Sequence, residues 1–384
     1  MREPLPVAII GAGAVGLFLG LALNRLGIPF RVFEQRSEIH PHSRSLGIHP
    51  VSLELLDGLN LTEPFLKQGL PIRRGVAYHD REPIGTIRFD KLPEPWNFIL
   101  VIPQYQTERI LEEALNRAAP GSLHRGWKLS RMEEGHAGQK LRFTTPDGQQ
   151  EIISNRVIGC DGKNSTVRNH AGIPARKKRY PDTYIMGDFP DSDTPEEAAV
   201  IYLHRNGLIE SFPLPGRRRR WVVKTDRYIE QADGFALTRR ILERLEIRLD
   251  PKQARMVSSF GTYRQLADTL VQNRVILAGD AAHVVSPIGG QGMNLGWIGA
   301  MSLGYALRDE ICLEKGPGSL SRYSNKQRLV AKQAARRAEI NMVMGRKQRI
   351  PALRKILLQT LVNTPLNPLM ARIFTMKGLG RWPA

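Results

Sequence analysis

The chain has 384 residues, of which 41% are hydrophobic and 24% charged, a composition that excludes a disordered or fibrous protein. Its two cysteines, Cys160 and Cys312, exclude a disulfide-stapled scaffold and favour a reducing compartment, so we expect a cytoplasmic protein. The net charge of +19 is concentrated in Arg217–Arg220 and from Arg322 onwards, where 14 basic residues face one acid, Glu339. Such charge suits nucleic acid, an anionic membrane or a merely basic soluble surface. No nucleic-acid motif accompanies it, so we expect no nucleic-acid partner.

The N-terminal stretch Val7–Asn24 contains no charged residue, so a membrane span or signal anchor has to be weighed first. Its length is borderline, because a membrane helix needs about 20 apolar residues. Gly11, Gly13 and Gly16 interrupt it at one point, where a helix would be weakest. The stretch also lacks the cationic start and the cleavage site of a secretory signal. We therefore do not predict that it enters a membrane.

The same residues match a β-α-β dinucleotide-binding unit. A buried strand, Val7–Ile10, leads into a G-x-G-x-x-G motif, a helix at Ala14–Leu26 and a second strand, Phe30–Phe33, that finishes at Glu34. The first glycine makes a tight turn, the second lets the backbone approach a pyrophosphate, and the third allows the helix to pack closely. Glu34 lies at the spacing expected of the carboxylate that binds a ribose hydroxyl.

The remaining elements predict an α/β fold in which the nucleotide domain is discontinuous. Helices are expected at Pro50–Leu59 and from about Thr107, and four antiparallel strands are expected between residues 181 and 225. The predicted units are a Rossmann-like domain at 1–72, 100–180 and 262–340, an inserted antiparallel-sheet substrate domain at 73–99 and 181–261, and a C-terminal helical segment at 341–384. We expect the substrate between the first two units, since domain interfaces favour ligand pockets.

Two further motifs narrow the cofactor. "VIGCDGKNSTVR" contains Asp161 and Arg168, and "ILAGDAAHVVSPIGGQGMNLG" contains Asp280 and a glycine-rich turn after Pro287. With the N-terminal motif, this set resembles the para-hydroxybenzoate-hydroxylase type of single-component FAD-dependent aromatic monooxygenase over nearly the whole chain. The resemblance implies FAD as the cofactor and NAD(P)H as a co-substrate without a domain of its own. It also implies that a flavin C4a-hydroperoxide transfers one atom of O2 to an electron-rich aromatic such as a phenol, resorcinol or quinone precursor.

The resemblance assigns roles to individual residues. The cofactor-binding residues that it implies are Gly11, Gly13, Ala14, Val15, Gly16, Glu34, Arg44, Gln104, Arg109, Asp161, Arg168, Asp280, Pro287, Gly292 and Asn294. Pro287, Gly292, Met293 and Asn294 would form the catalytic loop along the flavin edge, from a helix starting near Met293, with no side-chain base. Arg44 and Arg168 would serve the passing nicotinamide cofactor. No metal site is predicted.

Each residue also has a simpler interpretation. A carboxylate such as Asp280 suits the ribityl hydroxyls, since it would repel a phosphate, but it could instead cap a helix. Asp161 could simply form a turn. Arg44 and Arg109, taken alone, fit a solvated surface. His283 is interpreted as a packed histidine and not as a general base.

The substrate-binding residues are less constrained. Alternation in "GLIESFPLP" places Leu208, Glu210 and Phe212 on one face of a strand and Ile209 and Ser211 on the other, without indicating which face meets the flavin. The predicted substrate contacts are Tyr202, Glu210 and Ser211. Cross-strand pairing explains these side chains equally well.

The last forty residues, which include Leu357, Leu358, Leu361, Leu366, Leu369, Ile373 and Phe374, are apolar and basic. They could cover the substrate channel, pack on the domain, or lie on the inner face of a membrane, which would suit a lipid-tailed substrate. Two alternative functions stay open at this point. One is a flavin-dependent reductase acting on a prenyl or alkyl substrate without oxygen insertion, and the other is a non-catalytic FAD-binding partner protein.

Overall fold

The described part of the chain folds around three β-sheets and a set of covering helices, in a computed structural model that describes residues 3–41, 45–191, 197–316, 318–346, 359, 367–377 and 379. The strands are β1 (Leu5–Ile10), β2 (Phe30–Glu34), β3 (Gly47–Ile48), β4 (Leu70–Ile72), β5 (Arg74–His79), β6 (Glu82–Arg88), β7 (Ile99–Val101), β8 (Leu123–Arg125), β9 (Lys128–Gly135), β10 (Gly138–Thr145), β11 (Gly148–Gly159), β12 (Ala175–Pro190), β13 (Ala199–Leu203), β14 (Ile209–Leu214), β15 (Arg218–Thr225), β16 (Arg255–Ala267), β17 (Val271–Gln272), β18 (Val275–Leu277) and β19 (His283–Val284). The helices are α1 (Ala14–Arg25), α2 (Pro50–Asp57), α3 (Thr62–Gln68), α4 (Gln104–Ala118), α5 (Thr166–His170), α6 (Gly234–Leu245), α7 (Gln291–Ile311), α8 (Gly318–Met344) and α9 (Asn367–Phe374).

The first sheet contains the β-α-β unit that the sequence predicts. Strands β18, β11, β1, β2 and β8 lie side by side and run parallel, and Ile9 of β1 pairs with Val32 on one side and Ile158 on the other. A strand of a parallel sheet is covered on both faces, which explains why β1 is a continuous apolar run. The first half of β11 instead pairs with β10 in an antiparallel extension. The α/β fold class is thereby confirmed.

The second sheet has the order β19-β16-β12-β15-β14-β13-β5-β6 and is antiparallel except where β13 meets β5. It contains the four strands predicted between residues 181 and 225. Two long strands extend across the predicted unit boundaries, since β12 starts at Ala175 and β16 continues to Ala267. A single strand can thus link the two units and still belong to this sheet. Helix α6 covers one face of the sheet, where Leu237 and Ile241 pack against it.

Half of the basic cluster Arg217–Arg220 is buried and does not belong to the charged surface patch that its sequence suggests. Arg219 and Arg220 are buried in β15 and point to opposite faces of the sheet. Arg219 forms an ion pair with Asp191 at 3.0 Å, and Arg220 forms one with Asp188 at 2.6 Å. Both charges are therefore neutralised inside the fold, as buried charges must be.

Two helices begin earlier than predicted. Helix α4 begins at Gln104, three residues before Thr107, because Pro103 has the extended backbone of an N-cap. Helix α7 begins at Gln291, following Gly290 in a left-handed conformation with φ +65°. Its Trp297 is fully buried, and the indole nitrogen donates a hydrogen bond of 2.8 Å to the carbonyl of Ala14. This bond ties α7 to the start of α1.

Within the described residues, no helix combines the length and the apolar character that crossing a membrane requires.

Candidate active site

Four loops of the first sheet meet at one crevice. Strands β1, β2, β11 and β18 run in the same direction, so the loops that follow them lie along one edge of the sheet. These loops are residues 11–13, 34–36, 160–163 and 278–280. Open α/β sheets bind their ligands at the carboxyl ends of the strands, which is this edge. The structure therefore brings together motifs that are far apart in the sequence.

Gly11 and Gly16 have the turn and packing geometry that their spacing predicts. Gly11 has φ +106°, and a Cβ there would lie 2.5 Å from the carbonyl oxygen of Cys160. A Cβ on Gly16 would lie 1.9 Å from the carbonyl oxygen of Gly11, so only glycine allows α1 to pack this closely. Gly13 has more room, and it lines a large cavity together with Ala14 and Val15. The N-terminus of α1, whose positive dipole end favours anions, therefore faces this cavity.

Glu34 ends β2 beside this loop. Its carboxylate accepts hydrogen bonds from the backbone N–H of Ala12 at 2.8 Å and of Arg36 at 3.0 Å. The two bonds fix the carboxylate next to the glycine turn, where the motif predicts a ribose-binding acid. Arg36 itself lines the cavity, although the sequence analysis did not select it.

Helix α4 contributes one predicted residue and one that was missed. Gln104 lines the cavity, and its amide donates a hydrogen bond of 2.8 Å to Glu108. Burial raises the pKa of Glu108. Hydrogen bonds from Gln104 and from the backbone of Ala14 oppose this rise. The spacing of four residues between Gln104 and Glu108 was the available signal, since it places both on one helix face.

Arg109, which was predicted to bind the cofactor, follows Glu108 but points away from the loop. Its side chain is 71% exposed and pairs with Glu113 at 3.5 Å. Arg109 is not one of the described residues that line the cavity. It follows Glu108 by one residue, and one step along a helix rotates the side chain by about 100°. Its solvated interpretation is the one that the geometry supports. Arg44 lies outside the described residues.

Asp161 and Arg168 hydrogen-bond within the loops that border the cavity, without lining it themselves. Asp161 accepts hydrogen bonds from the hydroxyl of Ser165 and from the backbone N–H of Val167, so it shapes the turn into α5. Arg168 is only 7% exposed, and its guanidinium donates to the carbonyl oxygens of Ala281 at 2.9 Å and Lys163 at 3.1 Å. In the part of the chain that the structure describes, neither side chain belongs to the cavity lining. Arg168 instead clamps two loops together.

Asp280 faces the cavity directly. Its side chain is exposed to the cavity, with protein on the sides around it. This enclosure raises the pKa of Asp280 to about 6, while the charge of Lys163 opposes the rise. The short turn at Gly279–Ala281 has no side-chain cap, so the helix-cap alternative does not apply. Among the described residues, no side chain or backbone group donates a hydrogen bond to this carboxylate. It is therefore free to accept hydrogen bonds from a ligand.

The loop before α7 forms one wall of the cavity. Pro287, Gly292 and Met293 line it, and the backbone N–H of Gly290 closes the turn by donating to the carbonyl of Pro287 at 2.9 Å. Asn294 is fully buried and does not reach the cavity lining in the described residues. Its amide instead holds the loop in place, since it accepts from the backbone N–H of His49 and donates to two carbonyls, each at 2.9 Å.

The cavity has a volume of about 1120 Å³ and extends from these loops to the second sheet. Pockets for a single small ligand are commonly about 300–1,000 Å³. Of the predicted substrate residues, Glu210 lines the sheet end, together with its neighbours Leu208 and Phe212. Tyr202 and Ser211 do not, because strand alternation turns them to the opposite face.

That opposite face packs under α6. Tyr202 stacks on Tyr78 with ring centroids 5.1 Å apart, and Ser211 accepts a hydrogen bond of 3.0 Å from Arg219. The prediction that Tyr202 and Ser211 contact the substrate is therefore wrong for this geometry, whereas Glu210 remains in position to do so.

The C-terminal helices close the cavity. Asn341 and Met344 at the end of α8, and Met370 and Phe374 on α9, all line it. This supports the interpretation that the segment covers the channel. The predicted membrane-facing residues Leu357, Leu358, Leu361 and Leu366 lie outside the described residues. The exposed Leu369 is described, but nothing in the fold assigns it a membrane contact.

His49 and His283, two buried histidines near the site, are both neutral at pH 7. Burial lowers the pKa of His49 to about 4, and this residue, which the sequence analysis missed, lines the cavity beside Gly290. Burial likewise lowers the pKa of His283 to about 4. The His283 ring contacts the Gln327 amide at 2.9 Å, and within the described chain it does not line the cavity. A packed role for His283 fits this position.

Comparison with known proteins identifies the family. A family described as an FAD binding domain matches residues 4–338. A 12-dehydrotetracycline 5-monooxygenase/anhydrotetracycline 6-monooxygenase of Streptomyces rimosus is 30% identical over 378 residues, covering 92% of this chain and 73% of the relative. The chain belongs to the FAD-dependent aromatic monooxygenase family. This confirms the resemblance to the para-hydroxybenzoate-hydroxylase type.

Other similarities agree with this family. An uncharacterized aromatic compound monooxygenase of Bacillus subtilis, YhjG, is 30% identical over 80% of this chain, and the chain spans only 62% of that relative's length. The crystal structure of a p-nitrophenol 4-monooxygenase from Pseudomonas putida superimposes with a TM-score of 0.89 and covers 100% of both chains at 21% sequence identity. That similarity confirms the fold.

FAD is accordingly the cofactor of this family member, and the cavity fits it. Asp280 offers a carboxylate without a protein donor, where a sugar alcohol can supply hydroxyl donors. Gly13 leaves open space at the N-terminus of α1, where a pyrophosphate can approach the backbone. The loop at Pro287–Met293 presents a wall at which backbone N–H groups can meet a flat ring. These three features lie along one continuous cavity, as a long dinucleotide requires.

Proposed function

We propose that the protein hydroxylates an electron-rich aromatic substrate, such as a phenol, with FAD, NAD(P)H and O2. The observation that supports this most directly is one cavity that extends from the loop at Pro287–Met293 to the apolar face of the second sheet. A cofactor bound along the loops and an aromatic bound under the sheet would meet in it. Bound FAD would supply the chemistry of electron transfer and of oxygen activation.

The chain itself supplies electrostatics and a dry site. The N-terminus of α7 directs its positive dipole end at the cavity through Gly292 and Met293, which stabilises negative charge developing there. Met344, Met370 and Phe374 cover the cavity and exclude water.

We propose that NAD(P)H approaches the cations at the cavity wall. Arg36 and Lys163 line it, whereas the buried Arg168 is engaged with two carbonyls. These two side chains, with Arg44, replace Arg168 as candidates to attract the phosphates of the co-substrate. We also place the protein in the cytoplasm, where Cys160 and Cys312 stay reduced and NAD(P)H is available.

The test uses the FAD-loaded protein. Oxidation of NAD(P)H should consume O2 and yield a product heavier than the substrate by one oxygen atom, across a panel of small phenols and larger polycyclic phenols. Isotope-labelled O2 shows that the added atom comes from O2. Substrate reduction without O2 consumption would favour the reductase alternative. A protein that binds FAD but oxidises no NAD(P)H with any aromatic would contradict the proposal.

A further inference from the structure

Among the described residues, the sheet end of the cavity is lined mostly by apolar side chains, and its charged side chains are Glu210 and Arg220. Glu210 lies on the cavity face of β14, between Leu208 and Phe212, and opposite Ile201 of the neighbouring strand. Other apolar side chains enclose the same space, namely Met186, Leu203, Val222, Phe260 and Met344. Glu210 is only 7% exposed. An unpaired carboxyl in such surroundings is unusual, since burying a charge without a partner is costly.

The charged groups near Glu210 are already occupied. On the adjacent strand β15, Arg220 makes two hydrogen bonds to Asp188, at 2.6 and 2.9 Å, and Lys224 pairs with Asp182 at 3.5 Å. In the described part of the chain, no group forms a hydrogen bond or an ion pair with the Glu210 carboxyl.

Tyr184 of β12 is a further titratable group close to Glu210. Its hydroxyl is buried without a hydrogen-bond partner among the described residues, and burial raises the pKa of that phenol, with the charge of Glu210 as a further cause. The pKa of Glu210 is itself raised to about 7 by burial. The carboxyl can therefore exchange a proton near neutral pH, as a general base must.

From this arrangement we propose that Glu210 is the residue that selects the substrate, by accepting a hydrogen bond from a hydroxyl or amino group on the aromatic ring. The inference rests on the proposed hydroxylase function and narrows its substrate class. The site takes a phenol or arylamine and disfavours an aromatic that presents a carboxylate to the sheet. Two carboxylates facing each other in a dry cavity repel strongly, because the local dielectric is low.

The same contact defines a proton transfer. As a phenol reacts, its O–H bond breaks and an O–H bond forms on the Glu210 carboxylate. The electron pair left on the phenol oxygen raises the electron density of the ring carbons ortho and para to it. These are the carbons that an electrophilic oxygen attacks. Glu210 then returns the proton to solvent when the product leaves.

Binding measurements test the proposal without requiring turnover. The oxidised FAD-loaded protein is titrated with 2-naphthol and with 2-naphthoate, and each Kd is read from the change in flavin absorbance. We expect 2-naphthol to bind at least about tenfold tighter, a difference of about 1.4 kcal/mol. In Glu210→Gln this preference should fall by about tenfold or more, through weaker naphthol binding and stronger naphthoate binding. The control Glu230→Gln removes an exposed carboxylate from the same domain and should leave both Kd values unchanged.

The pH dependence and a conservative variant complete the test. Between pH 6 and 8 naphthol binding should tighten and naphthoate binding should weaken, because Glu210 ionises, and Glu210→Gln should abolish both trends. Glu210→Asp keeps the charge and should keep the naphthol preference. An unchanged preference in Glu210→Gln, or its loss in Glu210→Asp as well, would overturn the proposal. If the preference follows the prediction but no phenol of the panel is oxygenated, the hydroxylase function fails while the role of Glu210 in binding stands.

Discussion

Replacing Arg168 by alanine tests how the cofactor site is held together. The Arg168 guanidinium joins the loop after β11, at Lys163, to the loop after β18, at Ala281, through two hydrogen bonds. Both loops border Asp280, so we expect Arg168→Ala to weaken FAD binding and to destabilise the fold together. This differs from the expectation raised by the family resemblance, in which Arg168 serves the nicotinamide cofactor.

The size of the effect follows from the two bonds. Each hydrogen bond from a charged donor contributes about 1.5–3 kcal/mol, so the loss of both should cost about 3–6 kcal/mol. Unfolding entropy is about 2.1 cal/mol/K per residue, or about 0.8 kcal/mol/K for 384 residues that unfold together. The melting temperature should therefore fall by about 4–8 °C.

Three measurements on one preparation decide between the two roles. Calorimetry gives the melting temperature, FAD titration gives the cofactor Kd, and stopped-flow absorbance gives the rate of flavin reduction at saturating FAD. Arg109→Ala is the matched control, since Arg109 is exposed and should change stability by less than about 0.5 kcal/mol. If Arg168→Ala melts like the wild type, binds FAD normally and only slows reduction, the structural role assigned to Arg168 is wrong.

Three further predictions concern the cofactor site. Gly16→Ala should prevent folding, because its Cβ would lie 1.9 Å from a carbonyl oxygen. Gly13→Ala has room for a Cβ, so it should fold normally by circular dichroism but lose FAD affinity. Equal folding of the two variants would contradict this prediction. Asp280→Ala should weaken FAD binding by about 10- to 150-fold in a fluorescence titration, the equivalent of about 1.5–3 kcal/mol, and unchanged affinity would exclude the contact. In the wild type, FAD binding should weaken as the pH falls through about 6, because Asp280 then becomes protonated and loses its charge; Asp280→Asn should lack this step.

The sequence by itself determined the cofactor family and the position of its loops. The glycine motif, Glu34 and Asp280 each lie at the end of a strand, and the carboxyl ends of parallel strands share one edge. Their placement therefore follows from local patterns, and no distant contact is needed to predict it. The same holds for Gly11 and Gly16, whose backbone geometry depends on the turn that contains them.

Only the tertiary structure decided which side chains meet the cavity. Alternation in β14 defines two faces but does not say which one is covered, and the packing of α6 against Ile209 turns Glu210 toward the cavity. Arg168 and Asn294 have partners 113 and 245 residues away, so no local pattern could show that they hold loops instead of ligand. A side chain's role depends on the group that it reaches, and over such separations that group is set by how the sheets and helices pack together.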